Sequence, residues 1–248
     1  MGLRALNNPA ASFEDPYAST GSEAGTGIGP FSASGGTTAT YTDPTGSYKS
    51  HTFTGPGNFI VAGEPGTVDY FVVGGGGAGG NCVFGSSNGG GGGAGGVLTG
   101  TSFAVTVQSY PITVGEGGTG ADPTGNDGGS PSVFSTLTAQ GGGGGGYNKN
   151  STGDNPLNGG SGGGSTSHNP AGNPGGFGYG NREVGTSTPA PTQGNNGGSG
   201  SSSPPAWGSG GGGGAGGVGG DASSTTAGAG GIGVNNGYRY GPPTSDHP

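Results

Sequence analysis

The sequence predicts an all-β protein with little or no α-helix, in which a small antiparallel β-sandwich or jelly-roll-like unit is combined with a bundle of polyglycine II helices. Three observations carry that expectation. Short runs of alternating apolar residues recur between residues 40 and 147, each closed by Gly, Pro, Asn or Asp, the pattern of half-buried strands separated by turns. Nowhere does an apolar stripe follow the 3.6-residue period of an amphipathic helix of ordinary length. Finally, 72 of the 248 residues are Gly, and they are grouped: GGGGGAGGV at 89–97 recurs letter for letter at 210–218.

Residues 1–39 are polar and punctuated by Pro, with apolar Leu3, Leu6, Phe13, Tyr17, Ile28 and Phe31 in neither a helical nor a strand period; this reads as an extended arm. Residues 40–147 hold the strand candidates SHTF, NFIVA, VDYFVV, SFAVTV, YPITV and SVFSTLTA. Successive strand side chains point to opposite faces, so Phe103, Val105 and Val107 share one face, as do Tyr110, Ile112 and Val114. About six such strands at regular spacing make an antiparallel sandwich or jelly roll, with glycine runs inserted. Residues 148–236 are glycine runs joined by polar, Pro-containing loops, and 237–248 form a tail.

Gly and Ser composition is the usual mark of a flexible linker. Against that stands a spacing of three. X-G-G-X recurs as AGGN, AGGV, NGGS, PGGF, VGGD and AGGI, and Ser209, Gly212, Ala215, Val218 and Asp221 fall on one third of that repeat. The left-handed extended helix has three residues per turn and a rise of about 3.1 Å, so side chains spaced by three line one edge and leave two edges bare. It makes no internal hydrogen bonds, and every buried N–H and C=O needs a partner. Neighbouring rods can supply them. An all-Gly run such as 141–146 can be surrounded on every side, whereas a run with Ala or Val at each third position belongs at a boundary. Ordering Gly costs about 1–2 kcal/mol per residue in backbone entropy, more than for other residues, so only a dense cooperative lattice offsets it.

Composition excludes several functions. With 13 acidic against 5 basic residues, a net charge of −8 and a pI near 4.4, there is no basic stripe for nucleic acid. No window is long and apolar enough to insert into a membrane, and the first twenty residues lack the apolar centre of a signal peptide. The single Cys82 allows neither an internal disulfide nor a zinc cluster and is expected to be buried and inert. Gly74, Gly76 and Gly79 form G-x-G-x-x-G directly after a strand candidate, the dinucleotide position. However, NCVFGSSNGGGGG cannot supply the following helix, and no acid stands about 20 residues on. No cofactor is expected. A calcium site at Asp122 or Asp127 and a solvated turn are both compatible with the partial G-G-x-G-x-D matches. His51, His168 and His247 are scattered, with His51 inside a strand candidate, and no nucleophile–base or paired-carboxylate grouping suggests an enzyme.

What remains is surface. Connecting loops at rod ends, held on a rigid scaffold, make a binding architecture. They carry Phe84, Tyr147, Phe177, Tyr179, Arg182 and Trp207, amphipathic aromatics and an Arg suited to adaptable polar recognition, including stacking on sugars. Trp207, the single Trp, follows two prolines and is either a recognition residue or a plug between glycine layers.

The stretches SHTFTGPGNFIV, VDYFVVGGGGAGG, GGGGGAGGVLTGTSFAVTVQSYPITVGEGGTG and GGSPSVFSTLTAQGGGGGG resemble the glycine-rich domain of bacteriophage tail-fibre and adhesin-type virion proteins. The same order of strands and glycine runs is similar to the glycine-rich domain of anaplastic lymphoma kinase receptors. The resemblance implies a virion structural protein, assembled in host cytoplasm and exposed on the particle: a short tail-fibre or adhesin component, trimeric by analogy. Other virion proteins would be gripped through the arm, with Leu3, Leu6, Phe13 and Tyr17 as docking residues, and a host glycan or outer-membrane protein through the loops. The alternative is a non-adhesive subunit, such as a capsid decoration, head fibre or extracellular filament protein.

Overall fold

A computed structural model describes residues 2–6, 30–43, 46–82, 88–120, 126–150, 152–153, 156–167, 193–201 and 207–236. Among them there is no helix, and the strands pair antiparallel: the protein is all-β. The strands are β1 (Gly2–Leu6), β2 (Ser32–Ser34), β3 (Thr37–Asp43), β4 (Gly46–Thr52), β5 (Gly57–Ala62), β6 (Gly66–Val73), β7 (Val97–Val105), β8 (Ser109–Thr113), β9 (Ser132–Phe134), β10 (Leu137–Ala139), β11 (Asn148–Asn150) and β12 (Thr152–Gly153). One sheet runs β3-β4-β1-β6-β7, a second β10-β9-β8-β5-β2, and β11 and β12 form a hairpin. The chain divides into two compact units, a strand unit within 2–70 and 100–111 and a glycine unit within 71–99 and 112–237.

In the strand unit, alternation sets the core. Along β5, Phe59 and Val61 are buried while Asn58, Ile60 and Ala62 face out, as a period of two requires. Tyr48, Phe53, Val68, Val105 and Tyr110 complete the buried set. The chain reverses between β2 and β3 at Gly35 and Gly36, whose φ of +107° and +61° suit a residue without Cβ. Three expectations change here. The arm expected over 1–39 contributes strands at both of its ends. Leu3 and Leu6, the docking candidates, lie on β1 opposite His51 and Tyr48 of β4, and Phe13 and Tyr17 lie outside the described residues. Val107 does not share the inward face of Phe103 and Val105: β7 stops at Val105, and Val107, half exposed, occupies the turn into β8. SVFSTLTA is not one strand but the hairpin β9–β10, turned at Ser135 with φ +52°.

His51 is fully buried on β4, edge-on to Phe59 at 5.2 Å. Its Nδ1 lies 2.8 Å from the Gly35 carbonyl and donates to it, and its Nε2 is buried without a partner. Burial holds the imidazole below its ordinary pKa of 6.5, the Gly35 carbonyl opposes that, and Lys49 adds to it. The unfolded chain therefore takes up the proton more readily than the folded one, so this contribution to stability is complete above pH 6.5 and is lost as the pH falls below it. Thermal melts between about pH 8 and pH 5 should show the Tm falling on the acid side. His51→Asn, whose Nδ2 still reaches the Gly35 carbonyl, should flatten that slope.

The glycine unit is held by its main chain. Gly74, Gly77 and Gly80 donate to the carbonyls of Gly96, Gly93 and Gly90, and Gly90, Gly93 and Gly96 donate in turn to Gly146, Gly143 and Gln140. Gly91 and Ala94 donate to Gly210 and Gly213, while Ser161 and Gly164 donate to Ala94 and Gly91. Each neighbour is thus met at every third residue, and successive residues serve different neighbours. The two copies of GGGGGAGGV lie side by side and parallel. Run 141–146, expected to be surrounded, is buried from Gly142 to Gly146. The positive-φ glycines among the described residues are Gly35, Gly36, Gly46 and Gly63, none of them in these runs. Here glycine is required for the absence of Cβ: one on Gly90 would land on the carbonyl of Gly164, and one on Gly144 on the carbonyl of Asn126.

Candidate functional site: the loop end of the glycine lattice

The hydrogen-bond register fixes which run ends lie together. Runs 74–82 and 141–147 are antiparallel to 88–97, so Gly80, Gly146 and Gly90 are level, as are Gly74, Gln140 and Gly96. At the second of these ends the glycine runs are spliced into strands: 74 follows β6, 97 opens β7, and 140 follows β10. At the opposite end, beside Gly80, Gly90 and Gly146, stand Cys82, Asn88 and Tyr147. Strands thus anchor one end, and the run ends 80–82, 88–90 and 145–147 lie together at the other.

Three side-chain groups tie the loop end. Asn88 donates from Nδ2 to the Trp207 carbonyl at 2.7 Å, and its own N–H donates to Ser167 Oγ at 2.8 Å. Thr166 Oγ1 donates to the Asn88 carbonyl at 3.1 Å. Beside them Ser201 N–H donates to the Gly208 carbonyl, and Gly208 N–H to that of Ser224, where the short turn 223–226 closes with Ser224 at φ +53°. Asp221 Oδ1 accepts from Ser199 N–H at 2.7 Å and Asp127 Oδ2 from Thr119 Oγ1 at 2.8 Å. These carboxylates hold turns by capping donors, the role Asp favours in loops.

Of the sequence-derived candidates, Trp207 and Tyr147 stand at this end, each half-buried; Tyr147 leads directly into the β11–β12 hairpin. Phe84, Phe177, Tyr179 and Arg182 lie outside the described residues, as do Asp122, His168 and His247. Cys82 differs from expectation: it is half-buried at the loop end, not fully enclosed, because run 74–82 has reached the edge of the lattice there. Gly74, Gly76 and Gly79 lead into an extended run and not a helix, and Gly74 N–H is occupied by Gly96. Among the described residues no group of three or more His, Cys, Asp or Glu could hold a metal, and no helix is long and apolar enough to cross a membrane. Sequence reading missed Asn88, which joins runs far apart in the chain. Its one signal is an Asn at the threshold of a glycine run.

The profile of the glycine-rich domain matches residues 52–245. The chain belongs to the glycine-rich domain family. No curated protein and no solved structure matches it. The glycine-rich domain match begins at the end of β4 and takes in the whole lattice, so the residues that build the loop end lie inside it.

Proposed function

We propose that this glycine-rich protein is a bacteriophage virion component, a short tail-fibre or adhesin part that presents loops to the host surface on rods of polyglycine II. The observation that carries the reading is the polarity of the lattice: strands secure one end, and Trp207 and Tyr147 stand at the other. The rod assignment is supported by hydrogen bonds repeating every third residue, which match a helix of three residues per turn without internal bonds. A scaffold of that kind needs no side chains inside, and concentrates its aromatic groups where a glycan or outer-membrane protein would be met. The particle would hold several copies, with the N-terminal region on the virion side.

Particles carrying Trp207→Ala or Tyr147→Ala should form in normal yield but adsorb at least about tenfold more slowly, the loss typical of one aromatic hot spot. Unchanged adsorption with fragile or unassembled particles would instead identify a capsid-decoration or filament subunit. That second reading is favoured by how much of the lattice is main-chain cross-linking alone.

A further inference from the structure

Among the described residues the lattice has a gap. Around run 209–215 the neighbours are 91–94, 161–165, 195–198, 217–220 and 228–231, each bonded through its main chain or, at 195, through Asn195 Nδ2 as well. Between 88–97 and 228–234 the sequence of neighbours is interrupted by a groove of ≈ 790 Å³. Its floor is run 209–215, and its rim carries Phe71, Val73, Val97 and Val234 together with Ala94 and Ala215, the alanines of the two GGGGGAGGV copies.

The groove is lined by peptide groups whose bonding is incomplete. Among the described residues the N–H of Gly212 and the peptide groups of Gly92 and Gly95 have no hydrogen-bond partner, although Gly95 and Gly212 are buried. Buried main-chain groups are paired in more than about nine cases in ten, and these recur at the spacing of three seen at every occupied neighbour. The wall on the other side is the exposed run 227–236. Its Gly230 and Gly233 have neither a main-chain bond nor any atom within 4 Å of where a Cβ would stand, and beside them Ile232 is 71% exposed.

We infer that the groove is a vacant rod position filled by the run 227–236 of a second copy of this chain, the outer runs of the two copies lying side by side about a two-fold axis. This deepens the proposed function and rests on its reading of the runs as polyglycine II rods. The occupant must offer main-chain donors and acceptors every third residue with no Cβ on the inserted edge, which the Gly230 and Gly233 edge does. It must also be uncharged: no ionisable side chain lines the groove, and run 227–236 carries none. A neutral face is where two chains of net charge −8 can meet without like-charge repulsion. A two-fold axis along the rods keeps the two outer runs parallel, and parallel bonding already occurs within the lattice, between 91–94 and 210–213. An isologous contact of this type closes on itself and does not propagate.

Sedimentation velocity over a wide concentration range, paired with amide exchange, tests this on the full chain. The expected result is reversible dimerisation, with protection of Gly92, Gly95 and Gly212 amides rising with dimer fraction. Gly230→Val and Gly233→Val, placed in open space, should leave the monomer's lattice protection unchanged and abolish the dimer. A protected lattice that stays monomeric at every concentration, an oligomer indifferent to both variants, or capture of an added glycine-repeat peptide by a monomer that never self-associates would each overturn the proposal. Fast exchange throughout the runs would overturn the rod reading beneath it.

Discussion

Gly144→Ala is expected to destabilise the glycine lattice strongly, whereas Gly79→Ala should stabilise it, although both add one methyl group to a glycine run. Run 141–146 is bare on all three edges for a reason visible position by position. A Cβ on Gly141 would meet the Gly129 carbonyl, on Gly142 that of Gly93, on Gly143 that of Leu157, on Gly144 that of Asn126 and on Gly145 that of Gly90. The three edges thus face three separate neighbours in turn. Moving one neighbour away to admit a methyl group breaks bonds to the others, so the strain cannot relax locally. Overpacking a close-packed interior costs about 1–3 kcal/mol and more where the backbone itself must shift, a large share of a total stability of about 5–15 kcal/mol. Gly79 is exposed, and the nearest atom to its Cβ position is the Gly90 carbonyl at 3.9 Å. Its φ lies outside the left-handed region, so Ala fits the folded chain and mainly restricts the unfolded one, a gain of about 0.4–1 kcal/mol. Gly117→Ala, with its nearest atom at 3.7 Å, should behave like Gly79→Ala. Urea unfolding of the three variants checks the order. Equal, small effects at Gly144 and Gly79 would mean that the runs are not packed against one another.

The contrast between those two glycines also marks where the sequence stops being informative. That the runs repeat every third residue is written in Ala94 and Val97, in Ala215 and Val218, and in the period-two alternation that hands over to it at Val73. That NFIVA and VDYFVV are strands follows from Phe59, Val61, Val68 and Val72, all buried. Which run lies beside which is not legible, because the bonds are made by main-chain groups identical in every Gly, and no side chain records the choice. The same limit hid β1. GLRAL has no strand period of its own and takes its conformation from pairing with β4 some forty residues on, a tertiary decision that overrides a weak local preference. Val107 failed for a different cause: alternation continues past the end of β7, but the chain must turn to start β8 at Ser109. At the loop end, Trp207 and Tyr147 could be singled out as aromatic residues among glycine. Asn88 could not, since its role depends on Ser167 and Trp207 arriving from elsewhere in the chain.

Gln193 is the other residue whose importance only the folded chain reveals, and its loss should be costly. It is 2% exposed at the strand-spliced end of the lattice. Its Oε1 accepts from Gln140 N–H at 2.8 Å, its Nε2 donates to the Thr138 carbonyl at 3.0 Å, and its own carbonyl accepts from Val97 N–H at 2.9 Å. The side-chain amide therefore acts as one further peptide unit, completing the bonding of β10 and run 140–146 where no glycine run reaches. It also occupies the space beside Gly96, where a Cβ would stand 2.5 Å from Oε1. Gln193→Leu fills that volume but orphans one buried donor and one buried acceptor, each worth about 1–3 kcal/mol, so a loss of about 2–6 kcal/mol is expected in urea unfolding. Gln193→Glu isolates the donor. One carboxylate oxygen still accepts from Gln140, but the other faces the Thr138 carbonyl, a contact that is favourable only when the carboxyl is protonated. Burial and that carbonyl would raise its pKa above the unfolded value, so the penalty relative to the native chain should grow as the pH rises above the ordinary carboxylate range and shrink on acidification. The acid-side trend of His51 runs the opposite way, which makes the difference between variant and native chain at each pH the quantity to measure. A penalty for Gln193→Glu that does not change with pH would mean that Nε2 holds nothing, and that the junction at Thr138 is closed by packing alone.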